Sequence, residues 1–288
     1  RIPADRGIVG HTYRSGQAYL ASRTKGDPHF DQTFDDQLGF ETESVLSVPI
    51  QVGRSTCGVL QLVNHRDRES FIEEELKLLS LFAGFISTSL QNVLDANRAQ
   101  ELAKRDDLTG LYNDRYFNQQ LNDEIERADR DALELCVIFL DLDHFKEVND
   151  QYGHLVGSQT LAHVGRLLAE VVPPEAGTVA RYGGDEFVLI LPSADLRRGL
   201  EIAETIRNRI EATVFSIDRG LDQGATLEIG DRITASIGVA SYRAMADTDD
   251  GPPSHGDRLI RSADQAMYRA KALGKNRVCH PGGDAPAS

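Results

Sequence analysis

At 288 residues, with 40% hydrophobic and 26% charged side chains, the chain has room for two separate cores and an ordinary soluble composition. A formal net charge of −14 excludes a broad nucleic-acid surface, which draws on clustered Lys and Arg, but leaves room for a small phosphate pocket. Cys57, Cys136 and Cys279 are odd in number and lack metal-ligand spacing, so they read as reduced thiols in a cytoplasmic setting. No apolar run reaches transmembrane length and no signal peptide is seen, so neither membrane nor nucleic acid is an expected partner. The opening Arg1-Ile2-Pro3, without a Met, marks the chain as an expected fragment of something longer.

The first part mixes short strands with loops. GIVGHTYRSGQAYLAS (7–22) predicts a short helix leading into a strand, and TKGDPHFDQTFDDQLGF (24–40) is polar and loop-like. SVLSVPIQV (44–52) and TCGVLQLVN (56–64) flank the turn GRS and predict a β-hairpin. From Ser70 the period changes, with Ser70 as a helix cap and Glu73 completing a capping-box pattern. Leu79, Phe82, Ile86, Leu90, Val93 and Asn97 then recur at spacings of three and four, with Leu94 alongside. The pattern reaches Leu102, further than one small domain needs, so the stripe is expected to bed on the first domain and then pair with a second chain.

The second part starts near Asp106. LELCVIFLDLD (133–143) is an apolar strand ending in acids, and residues 144–172 read as two helices broken at a glycine. VARYGGDEFVLILP is a hairpin, RRGLEIAETIRNRIEATV (197–214) an amphipathic helix and RITASIGVASY (232–242) a strand. DTDDGPPSHGD (247–257) is a loop by composition, and residues 258–278 form a last helix running into a short strand. Alternation of this kind predicts an α/β sandwich with helices on a central sheet.

The acids carry the chemistry. Asp141 and Asp143 share a strand face at a strand-to-helix junction, where backbone N–H groups and the positive helix end suit phosphate. Asp185 and Glu186 sit on a turn whose Gly183 and Gly184 are free to take positive φ. Two acid clusters at neighbouring strand ends repel unless neutralised, and Mg²⁺ shared with substrate phosphates is the simplest agent, with Mn²⁺ as a substitute. Lys271 and Lys275, one helical turn apart, can hold a triphosphate tail or simply form a solvated face.

DDLTGLYN (106–113), DLDHFKEVND (141–150), RYGGDEF (181–187) and AMYRAKALGKNRV (266–278) resemble, in order, the signatures of the GGDEF family of diguanylate cyclases. That resemblance implies condensation of two GTP to cyclic di-GMP with loss of pyrophosphate. It also implies a mostly antiparallel central sheet flanked by helices. Asp141, Asp185 and the Leu142 carbonyl would hold the metal, and Glu186 would serve either that site or the activation of the 3′-hydroxyl. Asp185, Glu186 and Lys146 make up the expected catalytic set. His144, Phe145 and Lys146 would present backbone groups to the phosphates, and Lys271 with Lys275 would grip the β/γ end. Residues 1–75 resemble the later two-thirds of a GAF domain, followed by a connecting helix (76–105), the cyclase domain (106–280) and a flexible tail (281–288). The NHRDRESFIEEE stretch is similar to the signature of cyclic-nucleotide-binding GAF domains, but His65 replaces its lysine and the acidic position is Glu75. A structural or dimerising role is therefore as fitting as a small-molecule GAF ligand, and the expected assembly is a homodimer through GAF and connector.

Two departures from the family matter. The inhibitory R-x-x-D positions hold Pro174 and Gly177, so feedback through that site is expected to be absent. Asn149 stands at the first guanine-reading position, but Ser158 replaces the Asp nine residues on. A neutral hydroxyl donates or accepts, whereas an ionised Asp accepts only, so discrimination against adenine weakens. Ser158 thus resembles the hybrid promiscuous subgroup, which implies ATP beside GTP as substrate and cyclic GMP-AMP beside cyclic di-GMP. A strict GTP enzyme and an inactive nucleotide-binding module are the alternatives. His154 is expected to cap or pack at the helix break, and His163 lies mid-helix.

Overall fold

The computed structural model describes residues 6–67, 70–218, 226–230, 233–246 and 255–284. The chain divides into two compact units, Arg1–Leu102 and Ala103–Ser288. In the first, helix α1 (Gly7–Ser15) leads into β1 (Tyr19–Ala21), then α2 (Thr33–Leu38), the hairpin β2 (Val45–Val52) and β3 (Ser55–Val63), and the long α3 (Glu73–Leu102). The three strands pair antiparallel in the order β1-β2-β3. Helix α2 corrects the loop expected across 24–40. Asp31 accepts the Thr33 N–H and ends the polar lead-in, while Gly39, in the left-handed region at φ 63°, stops the helix after six residues.

The start of α3 also differs from the expected Ser70 box. The helix begins at Glu73, and the Glu75 carboxylate reaches back to the Ile72 N–H at 3.0 Å, a capping box displaced by two residues. The other Glu75 oxygen lies 3.0 Å from His65 Nε2, and His65 packs edge-on against Phe71. Asn64 accepts from the Glu43 N–H at 2.6 Å and donates to the Glu41 carbonyl at 2.8 Å. The signature-like residues 64, 65, 71 and 75 therefore knit the strand end to the helix start, which is structural work.

Helix α3 beds on the sheet through Leu79 and Ala83, which join Leu46, Val48 and Phe71 in one core. Phe82, expected in the same stripe, is 54% exposed, and Leu78, Leu81 and Phe85 are exposed as well. Ile86, Leu90 and Val93 return to the line of Leu79 and remain exposed.

In the second unit a short β4 (Tyr112–Asn113) precedes α4 (Asp114–Asp131) and the strand β5 (Leu135–Asp143). Helices α5 (Phe145–Tyr152) and α6 (His154–Val171) flank Gly153, followed by the hairpin β6 (Thr178–Gly183) and β7 (Glu186–Pro192). Next come α7 (Leu196–Glu211), the ribbon β8 (Phe215–Asp218) with β9 (Thr226–Ile229), β10 (Thr234–Ser241) and α8 (Arg243–Ala246). Helix α9 (His255–Ala272), β11 (Arg277–His280) and β12 (Gly283–Asp284) close the unit. Pairing of β12 with β11 corrects the flexible tail expected from 281, and α9, starting at His255, takes the last three residues of the loop expected at 247–257; residues 247–254 and 285–288 lie outside the described residues.

Among the described residues the sheet has seven strands in the order β12-β11-β10-β5-β7-β6-β4, with β10/β11 and β4/β6 parallel and the other pairs antiparallel. Strand β5 is central and buried at every residue, as a continuous apolar run with both faces covered requires. Alternation splits its side chains: Ile138, Leu140 and Leu142 join the core under α6 and α7, and Val137 and Phe139 the core under α4 and α9. No described helix is long and apolar enough to cross a membrane.

Tyr242, just past β10, ties the two helices of one face together. Its hydroxyl donates to Asp129 on α4 at 2.9 Å and lies 2.7 Å from His255 Nδ1 at the start of α9. Burial and the bond to Asp129 push its pKa up to about 12. Tyr242→Phe is expected to cost about 1–2 kcal/mol in urea unfolding. A raised folded-state pKa stabilises fully below the unfolded value of 10.0 and is lost as pH climbs through about 12. The difference between parent and variant should therefore shrink across that window; a constant difference would contradict the assignment.

Candidate functional site

The site grows from the end of β5. Asp141 lies opposite Glu186 on β7 and Ser236 on β10, so two acids meet on adjacent strands. The chain then reverses at His144, a non-glycine residue at φ 62°, and starts α5. On the neighbouring hairpin Gly183 pairs with Glu186, leaving Gly184 and Asp185 as the turn. Of the two glycines only Gly184 takes positive φ, at 47°. Gly183 remains strand, so the expectation for both is half right.

The adjacent acids part company. Asp185 borders a cleft of about 390 Å³ lined by Phe145, Lys146, Asn149, His154, Ser158 and Arg181, among others. Glu186 borders a separate hollow of about 400 Å³ with Phe139, Tyr182, Asp257, Arg261 and Asp264. Consecutive strand residues point to opposite faces, so one turn serves both sides of the sheet edge. Asn149 and Ser158 come together on the same cleft wall from α5 and α6, because the break at Gly153 folds one helix against the other. His154 also lines this cleft, whereas His163 stacks on Phe215, away from it.

Burial raises the pKa of Asp141, with Asp185 and Asp143 adding to it, while the ammonium of Lys271, 2.8 Å from its Oδ2, opposes the shift. Burial also raises Glu186, reinforced by Asp141, Asp185 and Asp264. The acids thus repel as expected, but Lys271 partly neutralises them from within the protein. Lys275 is not its helical neighbour, since α9 ends at Ala272 and Lys275 sits in the left-handed region at φ 66°. There its Nζ is 3.4 Å from His144 Nε2, and His144 Nδ1 is 2.7 Å from Glu147. The first-turn N–H groups of α5, at Phe145 and Lys146, have no partner within their own helix.

One residue given no role in the sequence holds the turn. Arg181 donates to the Gly184 carbonyl from Nε at 3.0 Å and Nη2 at 2.7 Å, and its Nη1 reaches Asp106 at 3.1 Å. Asp106 in turn accepts from the Thr109 N–H and hydroxyl. Both residues stand inside quoted motifs; an arginine two before the glycines and an aspartate before Leu-Thr were the available signals.

No three His, Cys, Asp or Glu side chains form a ready metal cage among the described residues. Asp141 and Asp185 on neighbouring strand ends are instead a donor set of the open kind, in which one or two carboxylates share a hard divalent ion with substrate oxygens.

The cleft between α5 and α6, the acids at the strand ends and the mostly antiparallel sheet with flanking helices make up a GGDEF-type fold. The chain belongs to the GGDEF family: the family profile described as "Diguanylate cyclase, GGDEF domain" matches residues 103–277, and a GAF-domain profile matches 1–90. The response regulator PleD of Caulobacter vibrioides is 35% identical over 189 residues, covering 66% of this chain and 38% of PleD. The diguanylate cyclase DgcP of Pseudomonas aeruginosa is 34% identical over 291 residues, covering 96% of this chain and 40% of DgcP. The chain thus spans well under half the length of these relatives. The coiled coil and GGDEF domain of DgcB from Caulobacter crescentus, solved with c-di-GMP, superposes with a TM-score of 0.61 at 28% identity, covering 70% of this chain and 98% of that one.

Although burial pushes Asp106 up, the bonds from Thr109 and the Arg181 guanidinium hold its carboxyl below the usual range. Arg181→Ala is expected to move that pKa back up, read by carboxyl NMR titration. An unmoved titration would mean that Thr109 alone sets it.

Proposed function

We propose that this chain is a dinucleotide cyclase acting on purine nucleoside triphosphates. The reading is carried by one observation: Asp185 shares its cleft with Asn149 and Ser158, next to the strand end that bears Asp141. A divalent ion, Mg²⁺ by the hardness of the donors and Mn²⁺ as a substitute, suits Asp141, Asp185 and the Leu142 carbonyl. When bound, it would offset charge on the attacked α-phosphorus and acidify the attacking hydroxyl. Backbone N–H groups after His144, at Phe145 and Lys146, receive the phosphates, while Lys275 closes on the β/γ end. Lys271 tempers the charge of Asp141. Glu186, its pKa raised, is suited to take the proton of a 3′-hydroxyl. That oxygen bonds to the α-phosphorus of the second nucleotide, and the bond to pyrophosphate breaks; repetition closes the ring.

Ser158 favours mixed purine use, with cyclic GMP-AMP from GTP and ATP beside cyclic di-GMP. Replacing an ionised acceptor by a hydroxyl forfeits about 1.5–3 kcal/mol of charge-assisted bonding to guanine. Product feedback through the R-x-x-D position has no support here. Pro174 and Gly177 carry no charge, and a Cβ on Gly177 would stand 2.3 Å from the Ile190 carbonyl oxygen.

One cyclase unit holds one nucleotide, so the product requires two units with sites apposed, most simply in a homodimer. The exposed Ile86, Leu90 and Val93 of α3 offer the seam. Leu90→Asp should lower dimerisation and turnover together, measured by analytical ultracentrifugation and product formation; unchanged turnover would refute the seam.

Mass spectrometry of products from Mg²⁺ with GTP, ATP or an equal mixture tests the central reading. Cyclic GMP-AMP from the mixture, reduced at least tenfold by Ser158→Asp in favour of cyclic di-GMP, is expected. Cyclic di-GMP alone would identify a strict GTP enzyme, and no product from a verified dimer an inactive nucleotide-binding module.

A further inference from the structure

We infer that Asp143 is a positioning residue for the triphosphate end of the substrate, acting through Lys275. The inference deepens the nucleotide reading above and rests on it. Asp143 ends β5 two residues after Asp141, and spacing alone would send both carboxylates to one cation. Yet Asp143 is 2% exposed and its oxygens are already engaged. Oδ1 accepts from the Ser236 hydroxyl at 2.7 Å, and Oδ2 from the Thr234 hydroxyl at 2.8 Å and the Asn276 backbone N–H at 3.0 Å.

The third donor gives the arrangement its purpose. Lys275 and Asn276 follow one another in the left-handed region, at φ 66° and 45°, where side-chain-bearing residues are disfavoured and persist only when held. Asn276 is held on three sides. Its N–H goes to Asp143, its Oδ1 accepts from Arg207 Nη1 at 2.9 Å, and its Nδ2 donates to Glu211 at 2.7 Å. The buried carboxylate and two residues of α7 thus fix the turn after α9. That turn brings the Lys275 ammonium to 3.4 Å from His144, at the N-terminus of α5. Without the clamp the lysine is a long side chain on a loop free to leave the left-handed region. With it, the lysine is a cation held against His144 at the N-terminus of α5, a setting for the outer phosphates rather than the base.

The test is calorimetric titration of the whole chain with two probes, α,β-methylene GTP and GMP, each with Mg²⁺. Asp143→Asn keeps the shape and removes the charge. Affinity for the triphosphate analogue is expected to fall about tenfold, the loss of one charge-assisted bond, while GMP, lacking β- and γ-phosphates, changes by less than about twofold. Lys275→Ala should show the same selective loss, and adding Asp143→Asn to it should remove nothing more. If Asp143→Asn does not fold, Asn276→Ala, which releases the α7 side of the clamp, must reproduce the selective loss. Equal losses for both probes, no loss for either, or fully additive losses in the double variant would overturn the inference. A parent chain that binds neither probe would overturn the nucleotide reading itself, and this inference with it.

Discussion

Everything in the second unit depends on two carboxylates at the end of a strand with no face left open. Strand β5 is buried throughout, including Asp141 and Asp143. Buried charge is expensive unless partnered, and the partners chosen differ in kind. Asp141 takes a cation from α9 and remains at the edge of the site, whereas Asp143 takes three uncharged donors and is closed off. One acid therefore stays at the edge of the site while the other becomes part of the scaffold. The C-terminal helix and the turn after it are placed by these two demands at once.

The hairpin beside β5 solves a second problem with the same economy of parts. A strand alternates its side chains, so adjacent acids cannot both enter one cavity without a distortion. Here they do not: Asp185, on the turn, borders the cleft with Asn149 and Ser158, and Glu186, already in strand, borders the other hollow. For a reaction joining two nucleotides, separation has a use. In the proposed reaction a group facing the nucleotide held in cis and a group facing away from it would serve different reactants. Arg181 fixes the turn on which that separation depends, by seizing the Gly184 carbonyl while paired to Asp106.

The fold was legible wherever period and burial agreed. The apolar run at β5, the glycine break between α5 and α6 and the hairpin around GGDE follow from residue pattern, and Asn149 and Ser158 meet because helices broken at Gly153 fold together. Legibility failed where an interaction distant in sequence decided a local conformation. Lys271 and Lys275 have helical spacing, yet the helix stops between them: Gly274 turns the chain at φ 113°, and Asp143 with α7 then holds Asn276 in the left-handed region. The short α2 was hidden by its polar composition, since its limits depend on Asp31 before it and Gly39 after it. Arg181 and Asp106 were in view as letters of motifs, but their pairing spans 75 residues and no periodicity encodes it.

Helix α3 shows a further limit of pattern reading and what lies behind it. Its early turns bury Leu79 and Ala83 and expose Leu78, Leu81, Phe82 and Phe85, and a stripe drawn by spacing counts Phe82 with Leu79. At 3.6 residues per turn, Ile86, Leu90 and Val93 fall back near the line of Leu79. The line that buries itself on the β2–β3 hairpin thus continues along the helix as exposed side chains. An apolar line that is satisfied for two turns and then exposed for two more is not explained by domain stability, which the buried turns already serve. The assembly proposed above, in which another helix takes over where the sheet ends, would account for it. The proposed reaction makes the same demand independently, because one site would hold one nucleotide and the product joins two.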